Sequence, residues 1–406
     1  MNQVYMAGNS GPKIKSDCRI TLEVKSSGGI NVVIKSKVQK FFEKHFISLI
    51  KNPIEKHGIN HCNVILEDAG ALDYVILARL EAVLASATGT RVKILPAFGK
   101  VRTATIFPDS FRRSRLYLPG NNPKFFINAG LYHSDGLIFD LEDSVAPEKK
   151  EEARVLVRNA IIAGDYNNSE IMVRINQLPL GLKDLEYVIP HGVDTILIPK
   201  CESAETIHEI DTKIKEIQKQ VGLEKPVFLM PIIESALGVI KSYEIASASE
   251  NIVALTIGLE DYTADLGVER SDEGKESEFA RNMLVNAAKA ARVQAIDSVF
   301  SNVEDMDALY TNARQAKMMG FDGMGCIHPR QIEVIHKAFA PTEREIQKAQ
   351  KIMKAFNKAQ AEGKSVVALN SKMIDPPVVI RAQNTIKMAI KNNLLPENWE
   401  EEMENE

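Results

Sequence analysis

The sequence predicts an α/β chain: a TIM (β/α)8 barrel with a C-terminal helical extension, preceded by a small α+β module. Three observations carry this. Eight short β-branched runs follow one another between residues 116 and 327, and helix-length segments such as Lys149–Ala163, Ala204–Val221 and Glu278–Arg292 separate them. The pattern before residue 93 is of a different kind. Repeated βα units favour a parallel sheet, and eight of them favour closure into a barrel. An open doubly wound sheet is disfavoured, because no GxGxxG follows any of the strands.

In order, Arg19–Val24 and Ile30–Ile34 are β-rich runs separated by the turn signal Ser26-Ser27-Gly28-Gly29. Ser36–Ile50 has a helical apolar period, Cys62–Leu66 reads as a strand, and Ala71–Ala87 as a second helix. Residues 1–92 are thus expected to form one β-β-α-β-α module, and 93–112 a linker with Pro96, Gly99 and Pro108. The barrel, 113–340, uses strands at Leu116–Leu118, Gly136–Asp140, Ile171–Ile175, Thr195–Ile198, Val227–Ile233, Ile252–Ile257, Ala295–Phe300 and Gly323–Ile327. Beyond it, Pro341–Gly363 is a helix opened by a Thr342–Glu345 capping box. A short run at Ser365–Leu369, the loop Asn370–Pro377 and a last helix, Val378–Lys391, complete an extension over 341–395. It is too long for simple barrel closure, so it is expected to reach something else. An acidic tail, 396–406, follows.

Of 406 residues, 45% are hydrophobic and 26% charged, which excludes a disordered or fibrous chain. Fifty Lys/Arg against 54 Asp/Glu give a net charge of −4, so neither nucleic acid nor a membrane surface is expected as a partner. The balance conceals an asymmetry. Residues 1–100 carry 14 Lys/Arg against 8 Asp/Glu (+6), and the remainder 36 against 46 (−10), opposite signs that would help two modules dock. Cys18, Cys62, Cys201 and Cys326 are scattered and form no CxxC, which reads as reduced thiols in a cytoplasmic protein. No signal pattern opens the chain, and no apolar run approaches the about 18 residues needed to span a bilayer.

Barrel enzymes place their chemistry at the C-terminal ends of the strands, and those ends are rich in charge here. Strand two runs into Asp140-Leu141-Glu142-Asp143, strand three carries Arg174 and Asn176, and strand four ends at Lys200, followed by Glu202. Strand five ends at Glu234 and strand six leads into Glu260-Asp261. One carboxylate after a strand is commonly a helix cap or a salt-bridge partner; five charged strand ends together are harder to explain that way. Glu234 and Asp261 would jointly hold a hard cation such as Mg²⁺, and Arg174 suits bidentate capture of a carboxylate. Together they describe a metal-assisted site for a small polycarboxylate. His57, His61 and Cys62 form a weaker metal signal, because Gly58 interrupts them. His328 faces the site or caps a turn before Pro329, the turn being favoured; Gly323 and Gly325 line a phosphate loop or a tight turn.

These motifs are similar to a known family. Arg115–Phe126 (RLYLPGNNPKFF), Leu137–Ala146 (LIFDLEDSVA), Val173–Asn176 (VRIN), Leu197–Lys200 (LIPK), Ile232–Gly238 (IIESALG), Gly258–Ser271 (GLEDYTADLGVERS) and Gly325–Gln331 (GCIHPRQ) resemble the citrate lyase β subunit of the HpcH/HpaI aldolase-like family. That family also includes malyl- and citramalyl-thioester lyases. The resemblance implies a barrel that binds Mg²⁺ through Glu234 and Asp261 and a substrate carboxylate through Arg174, with Glu142, Asn176 and Lys200 contacting substrate. It also implies a late loop, here Ser371–Pro377, that brings a catalytic acid, Asp375, to a neighbouring subunit of a trimer or hexamer.

The first module resembles the acyl carrier (γ) subunit of the same enzyme: within Val64–Ala85, Asp68-Ala69-Gly70-Ala71-Leu72-Asp73 and Ala78-Arg79-Leu80-Glu81-Ala82 match the D-x-GALD and AR-(L/V)-EA parts of its signature. The resemblance implies that Ser16 bears a covalent phosphoribosyl-dephospho-CoA arm, with Ser10 as the fallback. Where the family commonly has G-T-L-E-S near that serine, this chain has Pro12-Lys13-Ile14-Lys15-Ser16. The implied activity is cleavage of a carrier-bound citryl thioester to oxaloacetate and acetyl-carrier, with a separate acyl-transferase (α) subunit as partner. The alternatives are a lyase acting on free malyl- or citramalyl-CoA and a non-catalytic carrier or scaffold subunit.

Overall fold

The computed structural model describes residues 3–97, 105–271, 273–361, 367–369 and 372–400. Residues 98–104 of the expected linker, Ser371 of the late loop and 401–406 of the acidic tail lie outside them.

The N-terminal module is a four-stranded sheet with two helices. Strands β1 (Val4–Gly8), β2 (Cys18–Val24), β3 (Ile30–Lys35) and β4 (Cys62–Asp68) lie in the order β1-β2-β4-β3, with helix α1 (Gln39–Lys56) crossing from β3 to the parallel β4. Alternate residues Cys18, Ile20 and Leu22 of β2 and Val64 and Leu66 of β4 are buried, as period-2 patterning requires. Against them lie Phe46, Ile50 and Ile54 of α1 and one side of α2 (Asp73–Thr88). Strand β1 is the element that sequence patterning missed; it is an edge strand in which only Ala7 is buried, so it carries little periodic signal. The module is therefore β-β-β-α-β-α.

Helix α2 is buried along most of its length, from Tyr74 to Glu81 without interruption. An apolar sequence around the whole circumference (YVILARLEAVLA) means burial on more than one side. One side faces the sheet through Ile76, Leu77 and Leu80; the other, through Tyr74, Val75 and Ala78, joins the core of the second part of the chain.

That second part is a closed barrel of parallel strands β5 (Ser114–Pro119), β6 (Gly136–Asp140), β7 (Glu170–Arg174), β8 (Thr195–Ile198), β9 (Phe228–Ile233), β10 (Ala254–Ile257), β11 (Gln294–Asp297) and β12 (Gly323–Cys326). β12 pairs with β5 to close the ring. Its intervening helices are α3 (Lys150–Ala163), α4 (Leu180–Val188), α5 (Ala204–Val221), α6 (Ala236–Ile240), α7 (Ser242–Ala246), α8 (Leu259–Leu266), α9 (Glu278–Ala290), α10 (Met306–Met319) and α11 (Arg330–Phe339). No α-helix connects β5 to β6; that segment holds only short 3-10 turns at Pro123–Phe125 and Ala129–Tyr132. Helix α2 packs beside α3 and shares a core with Phe126, Ala129 and Tyr166, so the N-terminal module covers this stretch of the barrel wall.

Charge pairs rivet the two parts. Arg79 of α2, 0% exposed, holds Asp17 with Nε and Nη2 (both 3.0 Å), Glu152 of α3 with Nη1 (3.1 Å) and Asn121 of the β5–β6 loop (2.9 Å). Glu152 also accepts the Gly8 N–H at 2.7 Å. Nearby, Arg158 of α3 makes paired 2.7 Å bonds to Glu81 of α2. The positive member of the pair thus comes from the N-terminal module at Arg79–Glu152 and from the barrel at Arg158–Glu81. Local geometry, not the net +6 and −10, sets this contact.

The extension folds back on itself. Thr342 and Glu345 make the reciprocal capping-box bonds (2.7 and 3.2 Å) at the start of α12 (Glu343–Ala361). A hairpin of β13 (Val367–Leu369) and β14 (Lys372–Ile374) leads into α13 (Pro376–Lys391). Ala349, Ile352 and Met353 pack with Val379, Ala382, Ile386 and Trp399 in a separate small core. All four cysteines are buried and unbridged. Among the described residues, no helix is long and apolar enough to cross a membrane.

Candidate active site

A cavity of about 460 Å³ opens at the C-terminal ends of the barrel strands. The barrel topology puts the last residue of each strand on this rim, which is why charged residues far apart in sequence converge here. Among its lining residues are Asp140, Arg174, Glu234 and Asp261, with Arg115 and Tyr117 beneath.

Arg174, at the end of β7, is held by Asp140 at the end of β6: Nε to Oδ1 at 2.7 Å and Nη2 to Oδ2 at 2.8 Å. Its Nη1 lies 3.1 Å from Glu142 and 3.5 Å from Asp143. Burial opposes its charge, but Asp140 outweighs that and raises its pKa; the same bonds hold the Asp140 carboxyl below its usual range. Burial, with the like charge of Asp143, lifts Glu142 above the usual carboxylate range despite Arg174.

Glu234 follows β9 and is 6% exposed. Its Oε2 accepts the Lys200 backbone N–H at 2.9 Å. Burial, added to by Asp261, pushes its pKa up to about 7. Gly258, at the end of β10, is required beside it: a Cβ there would stand 2.5 Å from Glu234 Oε1. Asp261 sits in the first turn of α8 and faces Lys200, whose Nζ is 3.4 Å away; that Nζ also lies 3.6 Å from Glu142 and 3.9 Å from Asp143. These three acids raise the Lys200 pKa against the opposing effect of burial.

Glu234 and Asp261 are two repelling carboxylates with an open side toward the cavity, an oxygen donor pair that suits a hard divalent cation. Among the described residues no group of three or more His, Cys, Asp or Glu surrounds a common point, so water and substrate oxygens would complete such a coordination.

The structure brings Arg174, Glu142, Lys200, Glu234 and Asp261 together. It does not bring Asn176 to the cavity: backbone N and Nδ2 both donate to Asp184 of α4 (2.7 and 2.8 Å). Asp375 is exposed at the N-terminus of α13 and does not line its own chain's cavity. The far end of that helix is anchored at the opposite face of the barrel, where Lys391 Nζ donates to the Asp109 carbonyl at 3.0 Å and Asn392 bonds Arg113. Ser16 lies in the N-terminal module, half-buried, with φ +59° and its N–H on the Ala69 carbonyl at 2.9 Å; Asp17, its neighbour, is the acid clamped by Arg79. Ser10 is also half-buried.

Glu202 serves a cap, accepting from Ser235 Oγ at 2.6 Å, and Glu260 pairs with Arg270. His57 binds the Pro53 carbonyl (2.8 Å), His61 accepts the Gly29 N–H (2.9 Å), and His328 accepts the Arg330 N–H (3.2 Å) as a turn cap. Sequence reasoning placed Asp140 and Asp143 at a charged strand end but gave them no role, and it missed Tyr117 and Arg115 as parts of the site. The last two were readable as alternate, inward positions of one strand.

An eight-stranded parallel barrel with a charged cavity at the C-terminal strand ends defines the class: a barrel of the kind that carries enzyme sites at that face. The chain belongs to the HpcH/HpaI aldolase/citrate lyase family, which residues 113–329 match; residues 6–87 match the acyl-carrier family of the malonate decarboxylase delta subunit (MdcD). It is 40% identical over 292 residues to citrate lyase subunit beta of Leuconostoc mesenteroides subsp. cremoris, a match covering 71% of this chain and 96% of that one. It is 33% identical over 290 residues to the mitochondrial citramalyl-CoA lyase of Mus musculus (68% of this chain, 86% of that one). Among solved structures, the CitE protein of Mycobacterium tuberculosis, crystallised with magnesium, acetoacetate and coenzyme A, aligns over 70% of this chain and 99% of its own, with 28% identity and a TM-score of 0.59. The chain is a carbon–carbon lyase of the citrate lyase β type with an acyl-carrier-like module at its N-terminus.

Proposed function

We propose that this chain cleaves a citryl thioester carried on its own N-terminal module, releasing oxaloacetate and leaving an acetyl thioester on the carrier, within a citrate lyase assembly. The observation that carries this reading is the Arg79 clamp. It ties Asp17, next to the expected attachment residue Ser16, to Asn121 in a loop at the active-site end of the barrel. The phosphoribosyl-dephospho-CoA arm on Ser16 would extend from a carrier held beside the barrel rim.

In the reaction the tertiary hydroxyl loses its proton and the bond between the carbinol carbon and the thioester methylene breaks. The bonding electrons collect as a thioester enolate, and protonation of that carbon gives the acetyl group. Arg174, pre-oriented by Asp140, receives the carboxylate next to the hydroxyl. Glu234 and Asp261 would hold Mg²⁺, which supplies Lewis-acid polarisation of the hydroxyl and carboxylate oxygens. Lys200, its ammonium fixed among Glu142, Asp143 and Asp261, contributes positive charge at the rim where the enolate oxygen develops. Asp375, exposed and away from its own cavity, would serve a neighbouring subunit of a homo-oligomer as the acid that protonates the carbon. The α acyl-transferase subunit would exchange acetyl for citryl on the arm.

The test is oxaloacetate release from citrate, followed by its reduction in a coupled assay, with the arm installed and the α subunit added. The wild type should release oxaloacetate only when both are present, and mass spectrometry should find the adduct on Ser16. Asp261→Ala should reduce the rate by about a thousandfold or more; near-normal rates would refute its assignment to the metal. A second reading, cleavage of free malyl- or citramalyl-CoA, is favoured by the likeness to citramalyl-CoA lyase. It predicts full turnover of the free thioester by a chain without the arm.

A further inference from the structure

The floor of the barrel cavity holds a charge that no described carboxylate pairs with. Arg115, Tyr117 and Pro119 alternate along β5 and line the cavity, while Leu116 and Leu118 between them belong to the outer core. Arg115 is 1% exposed. Its Nη1 lies 3.0 Å from Met230 Sδ, its Nη2 donates to Thr256 Oγ1 at 3.0 Å, and its Nε has no hydrogen-bond partner among the described residues. No described carboxylate forms an ion pair with it. Glu170, whose field reaches it, is already bound by Arg112 and Thr195. The interior layer around it is apolar: Ile138, Met172, Leu197, Met230 and Ile232.

A cation moved from water into such surroundings loses far more than a thioether and a hydroxyl return. The other deeply buried arginines do not bear this cost, since Arg79, Arg112, Arg154 and Arg158 each have an acid. Arg115 is also close to the chemistry. Thr256, which its guanidinium reaches, pairs in register with Ile232, two residues before Glu234. Gly325, which also lines the cavity, leaves no room for a side chain, since a Cβ there would meet Val299 Cγ1 at 2.7 Å.

We propose that Arg115 is a second anion-binding group of the lyase site, which selects substrates bearing two free carboxylates by receiving the distal one while Arg174 receives the carboxylate beside the hydroxyl. This rests on the reading of the barrel as the lyase site and deepens it by naming the substrate class. Arg174 cannot do both tasks, because its Nε and Nη2 are committed to Asp140. A citryl thioester has two free carboxylates, and both leave on oxaloacetate. Malyl and citramalyl thioesters have one, and yield glyoxylate or pyruvate. An unmatched cation on the floor favours the first over the others, because only a diacid brings the missing counter-charge.

The experiment titrates the full-length chain, in magnesium-containing buffer, with oxaloacetate and with pyruvate, for the wild type and for Arg115→Met, which fits a layer already holding Met172 and Met230. The wild type should prefer oxaloacetate. In Arg115→Met, oxaloacetate affinity should fall about tenfold or more, the loss expected for a charge-assisted hydrogen bond, with pyruvate affinity changed less than about twofold. The thermal midpoint of the ligand-free variant should rise, since an uncompensated buried charge is gone; a purely structural strut would lower it and weaken both ligands alike. If Arg115→Met does not fold, Arg115→Gln, neutral yet able to bond Thr256, carries the same comparison. An unchanged oxaloacetate-to-pyruvate preference in the neutral variant overturns the inference even if the wild type cleaves citryl thioesters. A wild type that prefers oxaloacetate but cleaves no citryl thioester overturns the proposed reaction instead.

Discussion

Two buried arginines in one chain divide its interior into two kinds of region. Arg79, between the carrier-like module and the barrel, is surrounded by Asp17, Glu152 and Asn121. Arg115, under the cavity, meets a thioether and a hydroxyl and leaves its Nε bare. Burial disfavours both charges. At Arg79 the acids outweigh it and the pKa rises, whereas at Arg115 it prevails and the pKa falls. A matched buried charge fastens elements together; an unmatched one marks a place where a ligand is expected. The same contrast separates the interface, which is closed, from the rim, where Glu234 is held above its normal pKa with an open side toward the cavity.

This comparison can be broken in several places. The largest structural effect is expected at Arg79. Arg79→Met leaves Asp17 buried without its cation and Glu152 with Lys149 alone, at a cost of about 3–5 kcal/mol, to be read as a lower midpoint in chemical denaturation. A loss below about 1 kcal/mol would mean the clamp contributes little.

Glu234 comes next. Its carboxyl titrates near 7 in the folded chain against an ordinary value of 4.5. The folded state therefore binds more protons than the unfolded state between those values. Stability must fall as pH rises through that window, and the penalty is complete above about 7. In metal-free buffer Glu234→Gln should be more stable than the wild type at pH 8 by up to about 3 kcal/mol, and equal to it at pH 4. A difference that does not change with pH would show that burial does not perturb Glu234. Magnesium, binding the ionised form, should narrow the gap at pH 8.

A smaller effect belongs to the rim of the interface, where Arg91 meets Glu186 at 3.2 Å with both side chains partly exposed. Arg91→Ala should cost no more than about 1 kcal/mol, and less at high salt. The smallest is expected from the linker. With the chain cut between residues 97 and 105, the two fragments should still co-elute at micromolar concentration, because a buried apolar and ionic contact joins them. Separation on dilution would show that the tether, not the interface, holds the carrier in place.

Much of the architecture was legible because it follows from local physics. The eight barrel strands are covered on both faces, so they appear as short β-branched runs, and the Thr342–Glu345 capping box is realised as written. The charged strand ends also announced a site. What remained hidden depended on partners distant in sequence. Asn176 read as a substrate ligand until Asp184 of α4 was seen to hold it. Arg174 read as a bidentate clamp, yet Asp140 takes its Nε and Nη2, so that a ligand would meet it through Nη1. Edge strand β1, with little to bury, left no pattern to read.

The amino-acid sequence by itself thus determined the family, the barrel and the carrier-like module, and the acids and the arginine that gather at the strand ends. Periodicity and spacing are local properties, written along the chain. Only the tertiary structure decided that helix α2 takes a place on the barrel wall where no barrel helix runs. Only it decided which buried charges are matched, and that no described acid pairs with Arg115. Desolvation and ion pairing depend on which atoms surround a group in space, and that enclosure is created only when the barrel closes.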